Sequence, residues 1–196
     1  MKIKFNPILS VITLISLSCS NDKKNKPAII ENTIIQPQKV STSELKKFKS
    51  VKEMLEDAHD FTLEQGTLNF INSDENNLHI QISKPIVEGD SDKIIDENIK
   101  RDIIYVAFQV FAQTSTKNIT ITSIPIDFKD QTKYYTQYQK TVKVTRDKTE
   151  QIMQKEFGSA DYSILFDNLN GIQIPNKNFN KLKFQDLDFV YIQLLK

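Results

Sequence analysis

The chain has no tryptophan, one cysteine, two histidines and four glycines in 196 residues. One cysteine forms no internal disulfide and builds no multi-thiolate zinc site. Two histidines, at positions 59 and 79, leave little imidazole for acid–base or metal chemistry. The glycines, at 66, 89, 158 and 171, form no glycine-rich phosphate loop and no Gly-x-Ser-x-Gly nucleophile turn. There is no repeat at a fixed period. The apolar stretch from Ile8 to Leu17 is broken by Ser and Thr. It falls short of the roughly 20 apolar residues that cross a bilayer.

That stretch is informative in another way. Met1-Lys2-Ile3-Lys4 gives a positive start, the apolar run follows, and Ser16-Leu17-Ser18-Cys19 closes it. Charge, apolar run and small residues in that order describe a secretory signal peptide. Small residues and then cysteine directly after the run resemble the lipobox of bacterial lipoproteins. The resemblance implies that residues 1–18 are removed and that Cys19 is lipidated as the first mature residue. It departs from the usual pattern in having Ser16, not Leu, three residues before the cysteine. Ser20, where Asp would favour the inner membrane, implies an outer-membrane address, facing the periplasm or the surface. Several acyl chains on one cysteine anchor firmly, since each buried CH₂ contributes about 0.8 kcal/mol.

Residues 19–45 are rich in Asn, Lys, Gln, Ser and Thr, with Pro27 and Pro37, and keep no helical or strand period. They read as a disordered tether. Residues 50–196 hold 17 of the 26 Lys and Arg and 22 of the 25 Asp and Glu, a net charge of −5. That sign argues against a nucleic-acid partner.

Residues 46–196 are enough for a single domain with its own core. Ser50 to Phe61 reads as a helix, with Ser50 and Glu53 at capping-box spacing. Thr67–Ile71 and Leu78–Ser83 read as strands around a polar turn. Ile95, Ile99, Ile103, Val106 and Val110 make the inward stripe of a long helix, capped at Asp90, Ser91 or Asp92. Asn118 to Phe128 is a β-branched strand whose apolar phase switches, which predicts a bulge or break near Ser123. Pro125 predicts an edge position for its second half. Tyr135–Thr145 reads as a strand, and Asp147–Phe157 as a helix ended by Gly158. Tyr162–Phe166 and Phe189–Leu195 are apolar and aromatic, and either helix or strand fits them. The expected fold is therefore α+β: a mostly antiparallel sheet with helices packed on one face, preceded by the signal peptide and tether.

Catalytic motifs are thin. Glu56-Asp-Ala-His59 has the carboxylate–histidine spacing of a di-iron helix, but such a site needs the motif twice. Ser43-Glu-Leu-Lys46 matches Ser-x-x-Lys, with neither Ser-Asp-Asn nor Lys-Thr-Gly elsewhere. Tyr134, Tyr135 and Tyr138 are the aromatic group that could form a contact surface. The expectation is a non-catalytic, lipid-anchored envelope protein without cofactor or metal. Its domain binds another envelope protein, in assembly or in an inhibitory, immunity-type role. The alternatives are a periplasmic hydrolase built on two carboxylates, or a carrier of an apolar ligand.

Overall fold

A computed structural model of the chain describes residues 44–196, all within one compact unit. The signal peptide, Cys19 and the tether up to residue 43 lie outside the described residues.

Helix α1, Val51–Ala58, starts where expected: the Ser50 hydroxyl accepts from the Glu53 amide at 3.1 Å. The Glu53 carboxylate in turn accepts from the Lys49 amide at 3.2 Å. Strands β1 (Leu68–Asn72) and β2 (His79–Ile82) pair antiparallel. The 22-residue helix α2, Asp92–Gln113, follows the short strand β3 (Pro85–Ile86) and is capped by Ser91. Its first half buries only the predicted stripe, whereas from Asp102 to Gln113 every residue is buried. A helix apolar all round belongs in the middle of a core, and α2 lies between the sheet and the C-terminal helices.

Because α2 is the crossover, β4 (Asn118–Ser123) returns parallel to β2, with Ile80 opposite Ile121 and Ile82 opposite Ser123. Strand β6 (Lys140–Thr145) pairs antiparallel with β4. The order is β1-β2-β4-β6, antiparallel at both flanks with one parallel pair at the centre. One face carries Ile80, Ile82, Ile119, Ile121, Val142 and Val144, all buried under the helices. The other carries His79, Gln81, Thr120, Thr122, Thr141 and Lys143. Across it run the His79 Nε2–Thr122 Oγ1 contact at 2.9 Å and the Thr122–Thr141 hydroxyl contact at 2.8 Å. The α+β class, with helices on one face, is as the sequence indicates.

The long β-branched strand breaks as its phase predicts: β4 ends at Ser123 and β5 (Ile126–Asp127) resumes beyond Pro125. Pro125 is not at an edge, however. Strand β5 lies between β3 and a returning segment, with Ile126 bridged to Tyr134. The pairing needs only the Pro125 carbonyl, which accepts from the Tyr135 amide at 2.9 Å, so the missing N–H is no obstacle.

Helix α3, Arg146–Phe157, is capped by Thr145 and ended by Gly158 at φ +70°. Tyr162–Leu165 is a 3₁₀ turn leading into a hairpin, β7 (Phe166–Leu169) and β8 (Ile172–Pro175). Helix α4 (Lys177–Asn180), a π-helical turn (Lys181–Gln185) and α5 (Leu187–Leu195) complete the chain. The ambiguous C-terminal stretch is thus helical. Glu44 and Leu45 already belong to the folded body. The Glu44 carbonyl accepts from Gln173 Nε2 at 3.0 Å, and Leu45 packs against the core. Among the described residues no helix is long and apolar enough to cross a membrane.

Candidate functional site

A cleft of about 310 Å³ opens at the carboxyl ends of the parallel pair. Crevices of this kind, beyond the ends of parallel strands joined by a crossover helix, are where open α/β sheets hold ligands. Lys84 follows β2, Ser123 ends β4, and Ile95, Asn98, Ile99, Arg101 and Asp102 come from one flank of α2. The far wall is Lys183 and Phe184 of the π-helical turn. Such turns are rare and concentrate at functional sites.

Local packing explains why Lys183 faces the cleft. Asn176 caps α4, its side-chain oxygen accepting from the Asn178 amide at 2.9 Å. Phe179 is fully buried, with ring centroids 5.7, 5.5 and 6.3 Å from Tyr105, Phe166 and Phe108. Leu182 is buried as well. These two anchors fix the turn and leave Lys183 half-buried and Phe184 exposed.

The cleft is cationic, but its charges are unevenly satisfied. The Lys84 ammonium donates to the Asp102 carboxylate at 2.8 Å, and Arg101 donates to Glu97 at 2.7 Å. Lys183 has no ion-pair partner among the described residues. Its ammonium stands over the rings of Tyr105 at 4.4 Å, Phe184 at 5.6 Å and Phe179 at 5.8 Å. Burial pushes the Asp102 carboxyl above the usual carboxylate range, against the pull of Lys84. Burial pushes Lys183 the other way, below the usual range for lysine, helped by Lys84. Tyr105 donates to Asp60 at 2.5 Å, and burial, followed by that carboxylate, raises its phenol.

Asp102 is the one carboxylate among the lining residues. A two-carboxylate hydrolase would need a second, and Asp60 is held by the Tyr105 hydroxyl away from the lining. Among the described residues no group of three or more His, Cys, Asp or Glu could hold a metal ion. His59, the candidate ligand beside Glu56, serves instead as the left-handed C-cap of α1, at φ +58°.

Of the three tyrosines singled out in the sequence, two are committed internally. Tyr135 donates to Asp127 at 2.6 Å, and Tyr138 donates to Asp92 at 2.5 Å. The Tyr135 hydroxyl, followed by the Lys129 and Asp130 amides, holds the Asp127 carboxyl down at about 2. Tyr135 and Tyr138 lie before β6, not within it: residues 136–138 form a 3₁₀ turn. Tyr134 is the exposed one. With it go Val87, 58% exposed, and Phe128, 65% exposed, the residues that follow the Ile86–Asp127 pair of β3 and β5. Ile86, next to Val87 in the chain, and Pro125, next to Ile126, line the cleft.

The sequence reading did not single out Lys84, Asp102 or Lys183. A signal for Asp102 was present: it lies seven residues after Ile95 and three after Ile99, on the inward stripe of α2. A carboxylate on a buried stripe requires a cationic or hydrogen-bonding partner. Nothing local in the sequence points to the partner.

A larger groove, about 680 Å³, runs between the start of α1 and the β1–β2 turn. Its charged side chains, Lys49, Lys52, Glu75 and Lys117, are all exposed.

These features define an α+β domain with one cationic cleft at the end of a parallel strand pair. Comparison with protein families, with curated proteins and with solved structures finds no match.

Proposed function

We propose that this chain is a lipid-anchored protein of the bacterial envelope that works by binding, not catalysis, and that its partner is another envelope protein. The observation that carries the binding half is the rim of Val87, Phe128 and Tyr134. These large apolar side chains are each exposed, on segments that the Tyr135–Asp127 and Tyr138–Asp92 hydrogen bonds tie down. Aromatic side chains presented without mobility lose little entropy when a partner covers them. The anchoring half rests on Ser16-Leu17-Ser18-Cys19.

The test is a photo-crosslinking residue placed at position 128 of the full chain in native envelopes. One adduct is expected. It should disappear with Val87→Asp, survive Ile172→Asp on the hairpin, and disappear with Cys19→Ala. An adduct indifferent to Val87→Asp refutes the rim. Unchanged membrane fractionation of Cys19→Ala refutes the anchor.

A further inference from the structure

The cleft carries an inference of its own, independent of the anchor and of the rim. Its cations differ in one respect. Lys84 is in a direct ion pair with Asp102 and Arg101 with Glu97, whereas the Lys183 ammonium makes no direct ion pair among the described residues and feels Asp102 and Asp60 only from a distance. Its surroundings are aromatic: three rings lie within 5.8 Å of the ammonium. The lining is polar and apolar in about equal measure, and its apolar part is Pro85, Ile86, Ile95, Ile99, Pro125 and Phe184. The volume, about 310 Å³, is at the small end of the roughly 300–1,000 Å³ typical of ligand sites.

We propose that this cleft binds a small organic monocarboxylate with an apolar body, its carboxylate on Lys183 and its body between Phe184 and the isoleucines of α2. The charge inventory selects the class. One ammonium without a direct ion pair offers one site for a carboxylate. A dianionic phosphate would need a second free cation, or a run of backbone amides at a glycine-rich loop, and the cleft lining holds no glycine. Ile95, Ile99 and Phe184 offer contacts to an apolar body that a small hydrated anion cannot use. Lys183 is accordingly a binding residue. Phe184, 53% exposed, covers the ligand's body and loses its own exposure when the site fills. Lys183 is half-buried, and an arriving carboxylate supplies the charge partner that lost water no longer does.

Lysine footprinting by reductive methylation and mass spectrometry, on the full chain in lipid nanodiscs, tests this directly. The probes are hexanoate, benzoate, hexan-1-ol and inorganic phosphate. Hexanoate or benzoate should slow modification of Lys183 several-fold while leaving the exposed Lys143 unchanged. Hexan-1-ol and phosphate should leave both unchanged. Lys183→Met keeps the apolar stem over Tyr105 and removes the charge. It should weaken carboxylate binding about tenfold or more, the worth of one charge-assisted hydrogen bond. Carboxylate binding to this variant is read by ligand-observed NMR, with its thermal melt compared with wild type to show that it is folded. Phe184→Ala, at an exposed position, should weaken hexanoate more than acetate. Protection by phosphate equal to that by hexanoate overturns the assignment, and so does no protection by either carboxylate. Undiminished binding to folded Lys183→Met overturns it as well.

Discussion

The guanidinium of Arg146 donates to the backbone carbonyl of Phe111 at 2.7 Å and lies 5.5 Å from the ring of the same residue. It also donates to the Thr114 and Thr116 carbonyls at 2.8 and 3.1 Å. Helix α2 ends inside the protein, where its last carbonyls have no helical partner. The first residue of α3 satisfies that of Phe111 and those of Thr114 and Thr116 just beyond the helix, while Lys47 and Phe48 take Ala112 and Gln113, so one side chain joins the end of one helix to the start of the next. Arg146→Met keeps some of the packing and removes every donor. We expect a loss of about 2–4 kcal/mol, from several buried acceptors left unpaired. Arg146→Lys should recover only part of it, because an ammonium cannot reach three carbonyls in the plane of a guanidinium. Urea unfolding of the two variants against wild type measures both.

Asp127 gives a pH signature of definite sign. Its folded carboxyl titrates at about 2, held there first by the Tyr135 hydroxyl, against about 4 in an unfolded chain. A depressed carboxyl stabilises the fold above the unfolded value, and that contribution is lost as pH falls through the folded one. Asp127→Asn should therefore melt below wild type at pH 7. The gap should close between about pH 4 and pH 2. Melting curves across that range decide it, and a gap that persists at pH 2 refutes it.

Asp102 has the opposite sign. Its carboxyl is raised by burial, so its contribution is full below the unfolded value and fades as pH rises through the folded one. Lys84 opposes that rise from 2.8 Å. Lys84→Met should lift the carboxyl further and make the protein more sensitive to alkali, with a larger deficit at pH 8 than at pH 4. Asp102→Asn should cost less, because Lys84 is 46% exposed at its side chain and can turn to water. Chemical denaturation of both variants at the two pH values gives the comparison.

Phe179 is the keystone of the C-terminal turn, fully buried among Tyr105, Phe108 and Phe166. Phe179→Ala should cost about 3–5 kcal/mol, as large-to-small changes in close-packed cores do. Phe184→Ala, five residues on at an exposed position, should cost less than about 0.5 kcal/mol. The contrast, read from midpoints of thermal unfolding, separates the residue that builds the cleft wall from the one that faces into the cleft.

Much of this architecture was legible in the sequence because periodicity and caps are local. The Ile95–Ile99–Ile103–Val106–Val110 spacing, the Ser50–Glu53 pair, the phase switch at Ser123 and the stop at Gly158 each gave an element its place. The parallel return of β4 was not legible, since pairing partners 41 residues apart leave no mark on either strand. The π-helical turn was not legible because no periodicity or cap in the sequence marks an element at Lys181–Gln185. The cleft drew on positions 84, 102 and 183, which only the fold brings together. Asp102 was the exception, a charge on an apolar stripe whose partner could have been sought.

The attachment of Glu44 has a mechanical side. The carbonyl of Glu44 and the amide of Lys46 both bond the side chain of Gln173, on the β7–β8 hairpin. The next backbone tie to the body is from the Phe48 amide to the Gln113 carbonyl at 2.8 Å. A pull transmitted along the N-terminal segment therefore meets the hairpin at Gln173 and helix α1 through the Lys46–Asp57 ion pair, and then the end of α2 through Lys47 and Phe48. The domain can yield a few residues of slack under tension while its cleft, whose lining begins at Lys84, keeps its shape.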